Sequence, residues 1–364
     1  MPHEIQLPKL DISPFLPQRG QDTPAAADDH RRRVETAADL DHFLTAYGFL
    51  YLTGFESVVS QQELDAVLDV SRAFFATPED AKAKLKIQRG DGARGWQKMG
   101  ENVTGGYSDW HEGWDCYKPF PPEEEDPSRL LHGPNRWPSE PATFRTLLEA
   151  HFEKMQVLGH ALMDATAMAL GLEPSDDDYA RLRGWVSDPF WVARCIGYPP
   201  LPPDAKGVSC GAHKDYGNWT LLLADPTPGA LQVFLRDRNG PSDPDSETDC
   251  KDSDGGAHGQ WINADPKPGC LVVNVGEMVE VYSAGRYKAT LHRVIHKSPT
   301  YRVSVPFFFE PNFDATIAPL AAASRRVAKS GNGEANLPTK QIKAVNYGEF
   351  LAAKVAKNFA LEDP

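Results

Sequence analysis

From about residue 189 the chain is built of short apolar runs, "FWVARCIGYPP", "WTLLLAD", "ALQVFLRD", "CLVVNVG" and "RVSVPFFFEP", separated by Gly, Pro, Asp and Asn. Runs this short, rich in β-branched and aromatic residues, predict strands. The intervals between them leave no room for the helical crossovers of a parallel sheet, so a jelly roll or barrel is expected. Upstream the period is helical. In "RRRVETAADLDHFLTAYG" apolar positions recur at helical spacing up to Gly48, and a strand follows in "FLYLTGF". Ser60-Gln-Gln-Glu63 has the form of a capping box ahead of another helix, and Thr77-Pro78 opens a short one. A long helical pattern covers about 141 to 171, a shorter one follows Pro174, and "NYGEFLAAKVAKNFA" is the last.

Two stretches fit neither period. Residues 88 to 138, rich in Gly, Pro, Trp and charge, read as long ordered loops, because their aromatics argue against a disordered linker. Residues 236 to 260 are acidic and almost free of apolar side chains, which predicts an exposed, mobile insertion between two strands.

Composition narrows the classes of function. A hydrophobic fraction of 41% over 364 residues is ample for a large core, and 51 acidic against 38 basic residues give a net charge of −13. That field opposes nucleic acid and anionic membrane surfaces, so neither is expected as a partner. Five cysteines without a CxxC spacing suggest reduced thiols in a cytoplasmic setting. No run approaches the roughly 18 apolar residues of a membrane span.

The chemistry concentrates in the strand-rich half. In "SCGAHKDYGNWTLLL" His213 and Asp215 stand two positions apart, and on a strand such neighbours project to one side. A third ligand from another strand is offered by His292 in "KATLHRVIHKS", with His296 a competitor four residues on. Two histidines and one carboxylate on one face of a metal leave positions open, the arrangement of non-haem Fe(II) and O₂ chemistry. Ten residues after His292, Arg302 and Ser304 again share a face, and a guanidinium fork beside a hydroxyl suits a carboxylate. Arg194, on the face of Ile196 and Tyr198, could meet an anionic substrate group or be tied in a structural ion pair.

Together these segments resemble the isopenicillin-N-synthase-like branch of the Fe(II)- and 2-oxoglutarate-dependent dioxygenases, through most of the chain. "LPKLDISPF" and "AYGFLYLTGF" are similar to that family's opening, "ARGWQKMGEN" and "DWHEGWDCY" to its central loop, and "ARCIGYPP", "GAHKDYGNWTLLL", "TLHRV" and "YRVSVPFFFEPN" to its catalytic core. The resemblance implies a mainly β fold with flanking helices, a distorted jelly roll or double-stranded β-helix behind an N-terminal helical part. It divides the chain into an N-terminal region (1–125), a helical linker region (126–188), a catalytic core (189–315) carrying the acidic insertion, and a C-terminal helical tail (316–364). His213, Asp215 and His292 match the Fe(II) ligands, Arg302 and Ser304 the pair that holds the distal carboxylate of 2-oxoglutarate, and Tyr198 a tyrosine beside that cosubstrate. Two positions depart from the family's usual residues: His111 stands where lysine is frequent, and Trp96 where tyrosine is.

The implied activity is hydroxylation, desaturation or cyclisation of a small organic metabolite. It is coupled to O₂-dependent decarboxylation of 2-oxoglutarate to succinate, with ascorbate supportive, in a monomer or weak homodimer. Trp96, Tyr107, Trp110 and Trp114 are candidates for a pocket wall or lid, the first three with Arg194 as substrate contacts. Some relatives use the same ligands without 2-oxoglutarate and keep Arg-x-Ser for the substrate's own carboxylate. A non-catalytic relative of the same fold is a further alternative, which the intact set of ligands argues against.

Overall fold

The computed structural model describes residues 5–17, 26–88, 90–91, 93–104, 106–202, 208–236, 259–330 and 342–358. The chain opens with β1 (Lys9–Asp11), α1 (Ala26–Ala46) and β2 (Phe49–Thr53), then α2 (Gln61–Phe75) and α3 (Glu79–Ala83). Gly48 makes the turn into β2 at φ +65, where a Cβ would stand 2.7 Å from the Lys288 carbonyl oxygen. Only glycine fits. The capping box ahead of α2 forms as its spacing predicts: Glu63 N–H donates to Ser60 Oγ (3.3 Å) and Ser60 N–H to Glu63 Oε2 (2.9 Å).

The segment expected to be loops carries β3 (Gly95–Gln97), β4 (Val103–Thr104), β5 (Tyr107–Ser108) and β6 (Glu112–Tyr117). All six residues of β6 are buried, although Glu112 and Asp115 interrupt any apolar alternation. Their partners are distant in sequence: Lys82 Nζ lies 2.7 Å from Glu112, and Arg194 Nε 2.7 Å from Asp115. Buried charge paired in this way leaves no periodic trace, which is why the strand was not legible.

After α4 (Phe144–Ala169) and α5 (Asp177–Gly184) come β7 (Trp191–Tyr198), β8 (Cys210–His213), β9 (Trp219–Ala224), β10 (Leu231–Arg236), β11 (Gly259–Asn263) and β12 (Leu271–Val275). They are followed by α6 (Glu277–Tyr282), β13 (His292–Val294) and β14 (Arg302–Phe309), and then by β15 (Thr316–Ile317), α7 (Ala321–Ser330), β16 (Val345–Asn346) and α8 (Tyr347–Asn358). An eight-stranded sheet runs β1-β2-β12-β9-β14-β7-β6-β3 and a four-stranded sheet β11-β10-β13-β8. Apart from the parallel β1–β2 pair, the pairings within these two sheets are antiparallel.

The large sheet has two different faces. One packs against α1, α2 and α4 through Leu40, Phe74, Leu158, Leu162, Val305 and Phe309. Each such side chain contributes roughly 1.5–3 kcal/mol on burial. The other face meets the small sheet, with Phe49, Tyr51, Ile196, Tyr198 and Val272 against Leu231, Val233, Ile262 and Val294. This is a jelly roll with a helical layer behind it, and the cleft between the sheets holds the chemistry. The acidic stretch falls almost wholly outside the described residues, but Arg236 and Gly259 at its two ends pair in register.

Candidate active site

His213 and His292 are cross-strand partners on β8 and β13, and that register sets their rings side by side with centroids 4.2 Å apart. Asp215 is not on the strand. It stands two residues past the end of β8, so the same-face argument for a His-x-Asp strand does not apply to it. A loop brings it back, with Oδ1 3.8 Å from His213 Nε2 and 3.6 Å from His292 Nε2. The large sheet fixes the other oxygen: Thr220 Oγ1 (2.6 Å) and Asn274 Nδ2 (2.7 Å) donate to Asp215 Oδ2. One carboxylate oxygen is thus committed to protein donors and the other faces the imidazoles.

Both rings are held in one tautomer. His213 Nδ1 lies 2.8 Å from the Gly211 carbonyl and His292 Nδ1 3.1 Å from that of Thr290. A carbonyl only accepts, so Nδ1 carries a proton and Nε2 is the nitrogen left to meet a cation. Burial pushes the His292 imidazole down to about 4, keeping it neutral. Burial also opposes protonation of His213, but Cys210 and Asp215 outweigh it and raise this imidazole to about 10, so at neutral pH its Nε2 also holds a proton, toward Asp215 Oδ1, that a cation binding there displaces. Two imidazole nitrogens and a carboxylate oxygen, all within 4.8 Å of one another, form a donor set suited to a divalent iron with open positions. His296 is turned away and donates from Nε2 to the Thr300 carbonyl (2.7 Å).

Arg302 is buried on β14 opposite Tyr198 of β7, its guanidinium carbon 4.8 Å over the phenol ring. Its Nε and Nη1 have no hydrogen-bond partner among the described residues. A buried guanidinium edge with nothing to bond is costly, and a carboxylate is the group that matches its fork. Ser304, also buried, hydrogen-bonds Tyr198, and burial pushes that phenol up to about 12. These observations fit the far carboxylate of a dicarboxylate such as 2-oxoglutarate.

Arg194 shares the cleft face with Ile196 and Tyr198. It is held by Asp115 Oδ1 at its Nε (2.7 Å) and by Gln97 Oε1 at Nη2 (3.2 Å). Trp96 does not line the cleft: it points to the helical side, packs in the main core and donates from Nε1 to Glu112 Oε2 (2.9 Å). Its neighbour in register, Trp114, is likewise core. Successive residues of a strand face opposite ways, so it is Gln97 that reaches the cleft side. Trp110 is exposed at the rim, bonded to the Pro200 carbonyl (3.3 Å). Tyr107 is placed by its backbone in β5, and its side chain lies outside the described residues. Sequence reasoning missed Thr220 and Asn274, although an asparagine within "LVVNV" is the kind of buried polar residue that signals a partner.

Comparison with known proteins agrees with this geometry. Residues 187–311 match the family model of the 2OG-Fe(II) oxygenase superfamily, and residues 7–140 that of the non-haem dioxygenase in morphine synthesis N-terminal region. The chain is 38% identical over 360 residues to a protein of Glycine max named homoarginine-6-hydroxylase 2-ODD-C23, covering 97% of both. With the 2-oxoglutarate-dependent dioxygenase citB of Monascus ruber it is 32% identical, covering 86% of this chain and 87% of that one. Among solved structures, a putative 2OG-Fe(II) oxygenase family protein of Caulobacter crescentus superposes with a TM-score of 0.72 at 27% identity, covering 96% of this chain and 99% of that one. A full-length Neurospora crassa protein solved in complex with alpha-KG and thymine shares the fold, with a TM-score of 0.71 at 23% identity and 98% coverage of each. A two-histidine, one-carboxylate cluster beside an unpaired buried arginine, on a jelly roll that two family models and full-length relatives match, places this chain in the 2OG-Fe(II) oxygenase superfamily, as a non-haem iron enzyme dependent on 2-oxoglutarate.

Proposed function

We propose that the enzyme hydroxylates the side chain of a small cationic amino acid, homoarginine or a close analogue. The observation that carries this reading is identity of 36–38% over 97–98% of this chain to plant proteins named homoarginine-6-hydroxylases. In this reading His213 and His292 hold Fe(II) through Nε2 and Asp215 through Oδ1. Arg302 and Ser304 hold the distal carboxylate of 2-oxoglutarate beside Tyr198. Bound iron with 2-oxoglutarate and O₂ supplies the oxidation of an unactivated C–H bond, with succinate and CO₂ as coproducts.

The protein's own groups orient and shield. Arg194, already neutralised on one edge by Asp115, would take the substrate's α-carboxylate with its remaining donors. That would direct the distal end of the amino acid toward the iron cluster. The test is incubation with Fe(II), 2-oxoglutarate and ascorbate, offering homoarginine, arginine, lysine or an uncharged amino acid, with succinate formation followed alongside mass spectrometry. A hydroxyl placed on a carbon that already bears nitrogen can collapse to an aldehyde and free guanidine, so both the oxygenated product and these fragments are followed. Coupled turnover should be greatest with homoarginine. If only an uncharged substrate couples, or turnover proceeds without 2-oxoglutarate, the reading fails.

A further inference from the structure

We propose that Asp109, His111 and Cys210 form a second metal site, separate from the iron cluster, that takes a borderline-soft divalent ion such as zinc or cobalt. One donor atom from each lies within 4.8 Å of the others. In a tetrahedral zinc site neighbouring donors stand roughly 3.5 Å apart, so closing on an ion needs shifts of about 1 Å or less.

The orphaned group in this cluster is an imidazole nitrogen. His111 is buried and its Nδ1 donates to the Ser209 carbonyl (2.8 Å), which leaves the lone pair on Nε2. That Nε2 is buried and has no hydrogen-bond partner among the described residues. A neutral, desolvated imidazole acceptor with nothing donating to it is costly, and an ion on its lone pair removes that cost. The carboxylate is already aimed. Asp109 Oδ2 accepts from Asn102 Nδ2 and Thr104 Oγ1, and Oδ1 from the Gly211 N–H (2.8 Å), so three of roughly four lone-pair sites are filled. The half-buried Cys210 supplies the soft donor, its thiol proton leaving to solvent on binding. Nitrogen, oxygen and thiolate with an open fourth position make a zinc-type donor set, whereas the iron cluster has no sulfur. Cys210 Sγ also stands 3.9 Å from His213 Nδ1, on the side of that ring away from Asp215, so an ion here would sit behind one of the iron ligands.

The test begins with metal-free protein, equilibrated against zinc chloride and analysed for bound metal. Wild type should hold two equivalents per chain; Cys210→Ala and His111→Phe should each hold one, that remaining ion at the His213 cluster reporting that the variant is folded. Asp215→Ala loaded with cobalt should show a thiolate-to-cobalt charge-transfer band, and this band should vanish when Cys210→Ala is added. A single equivalent in wild type overturns the proposal, as does a thiolate band in Asp215→Ala that survives the loss of Cys210. If the single variants bind no metal at all, the cobalt spectrum of Asp215→Ala decides alone: absence of the band rejects the site.

Discussion

The two oxygens of Asp215 have different work. Oδ2 is saturated by Thr220 and Asn274, so Oδ1 is the oxygen left for a cation, and the Nε2 atoms of both imidazoles face it. His213→Ala, Asp215→Ala and His292→Ala should each reduce turnover below detection while the far-UV spectrum stays native. His296→Ala should keep its activity and lose about 1–3 kcal/mol of stability, since it breaks one buried hydrogen bond. An inactive, folded His296→Ala would move the third ligand. Arg302→Lys keeps the charge but gives up the planar fork, so one charge-assisted bond worth about 1.5–3 kcal/mol is lost. The KM for 2-oxoglutarate should rise about ten- to a hundredfold, with that for the organic substrate little changed. Initial rates with each varied separately check this. Glu310 gives a pH prediction. It is buried and accepts the Asn218 N–H (3.2 Å); burial pushes its carboxyl up to about 8 from 4.5, against the pull of Tyr347 and Asn218. Between those two values the folded chain keeps a proton that the unfolded chain has released, so stability falls as pH rises through this window and the contribution is gone above it. The upper bound is about 4–5 kcal/mol. Glu310→Gln, which mimics the protonated acid, should flatten this decline and melt above wild type near pH 9, about equal to it near pH 4. Parallel melting curves for the two proteins across that range would show that Glu310 is ionised in the fold.

At the scale of elements, what was legible follows the burial. Strands β7, β9, β10, β12 and β14 announce themselves because their apolar residues meet other apolar residues. Strand β6 does not, because Glu112 and Asp115 are buried on partners 30 and 79 residues away. The short α6, with Glu277 and Glu280 in its first turn, is likewise too brief for a period to show. That His213, Asp215 and His292 would come together could be read from sequence since few side-chain types donate to a metal, yet the off-strand position of Asp215 and the turn of Trp96 toward the helical layer needed the pairing register. The hairpin β10–β11 carries its own register through Val233 against Ile262 and Phe234 against Trp261. Removing residues 242–256 and joining the ends with a short Gly-Ser turn should therefore shift stability by less than about 1 kcal/mol, because closure entropy depends weakly on loop length. Chemical denaturation of the shortened chain, beside its rate of 2-oxoglutarate consumption, tests this; loss of either would mean that the insertion covers the core or the cleft.

For the whole molecule, the two faces of the large sheet divide stability from chemistry, and β14 belongs to both. Arg302 and Ser304 point into the cleft while Val303, Val305, Phe307 and Phe309 point into the helical layer. The layer closes most tightly where α4 passes over Phe309: a Cβ on Gly159 would stand 2.3 Å from the Phe309 ring. Glycine in mid-helix itself costs about 1 kcal/mol relative to alanine, so its presence there reflects the close approach. Gly159→Val must move the ring or the helix, and overpacking of this kind costs typically about 1–3 kcal/mol, more than the propensity gain returns. The variant should melt several degrees lower, yet at temperatures well below its melt it should keep the wild-type KM for 2-oxoglutarate, because the displaced ring lies on the face away from Arg302. Arg302→Lys should do the reverse, raising KM with little change in melting temperature. Thermal melts and initial rates on the same two preparations make the comparison. If Gly159→Val alters KM, strain crosses the sheet along β14, and the helical layer then takes part in setting the cosubstrate pocket.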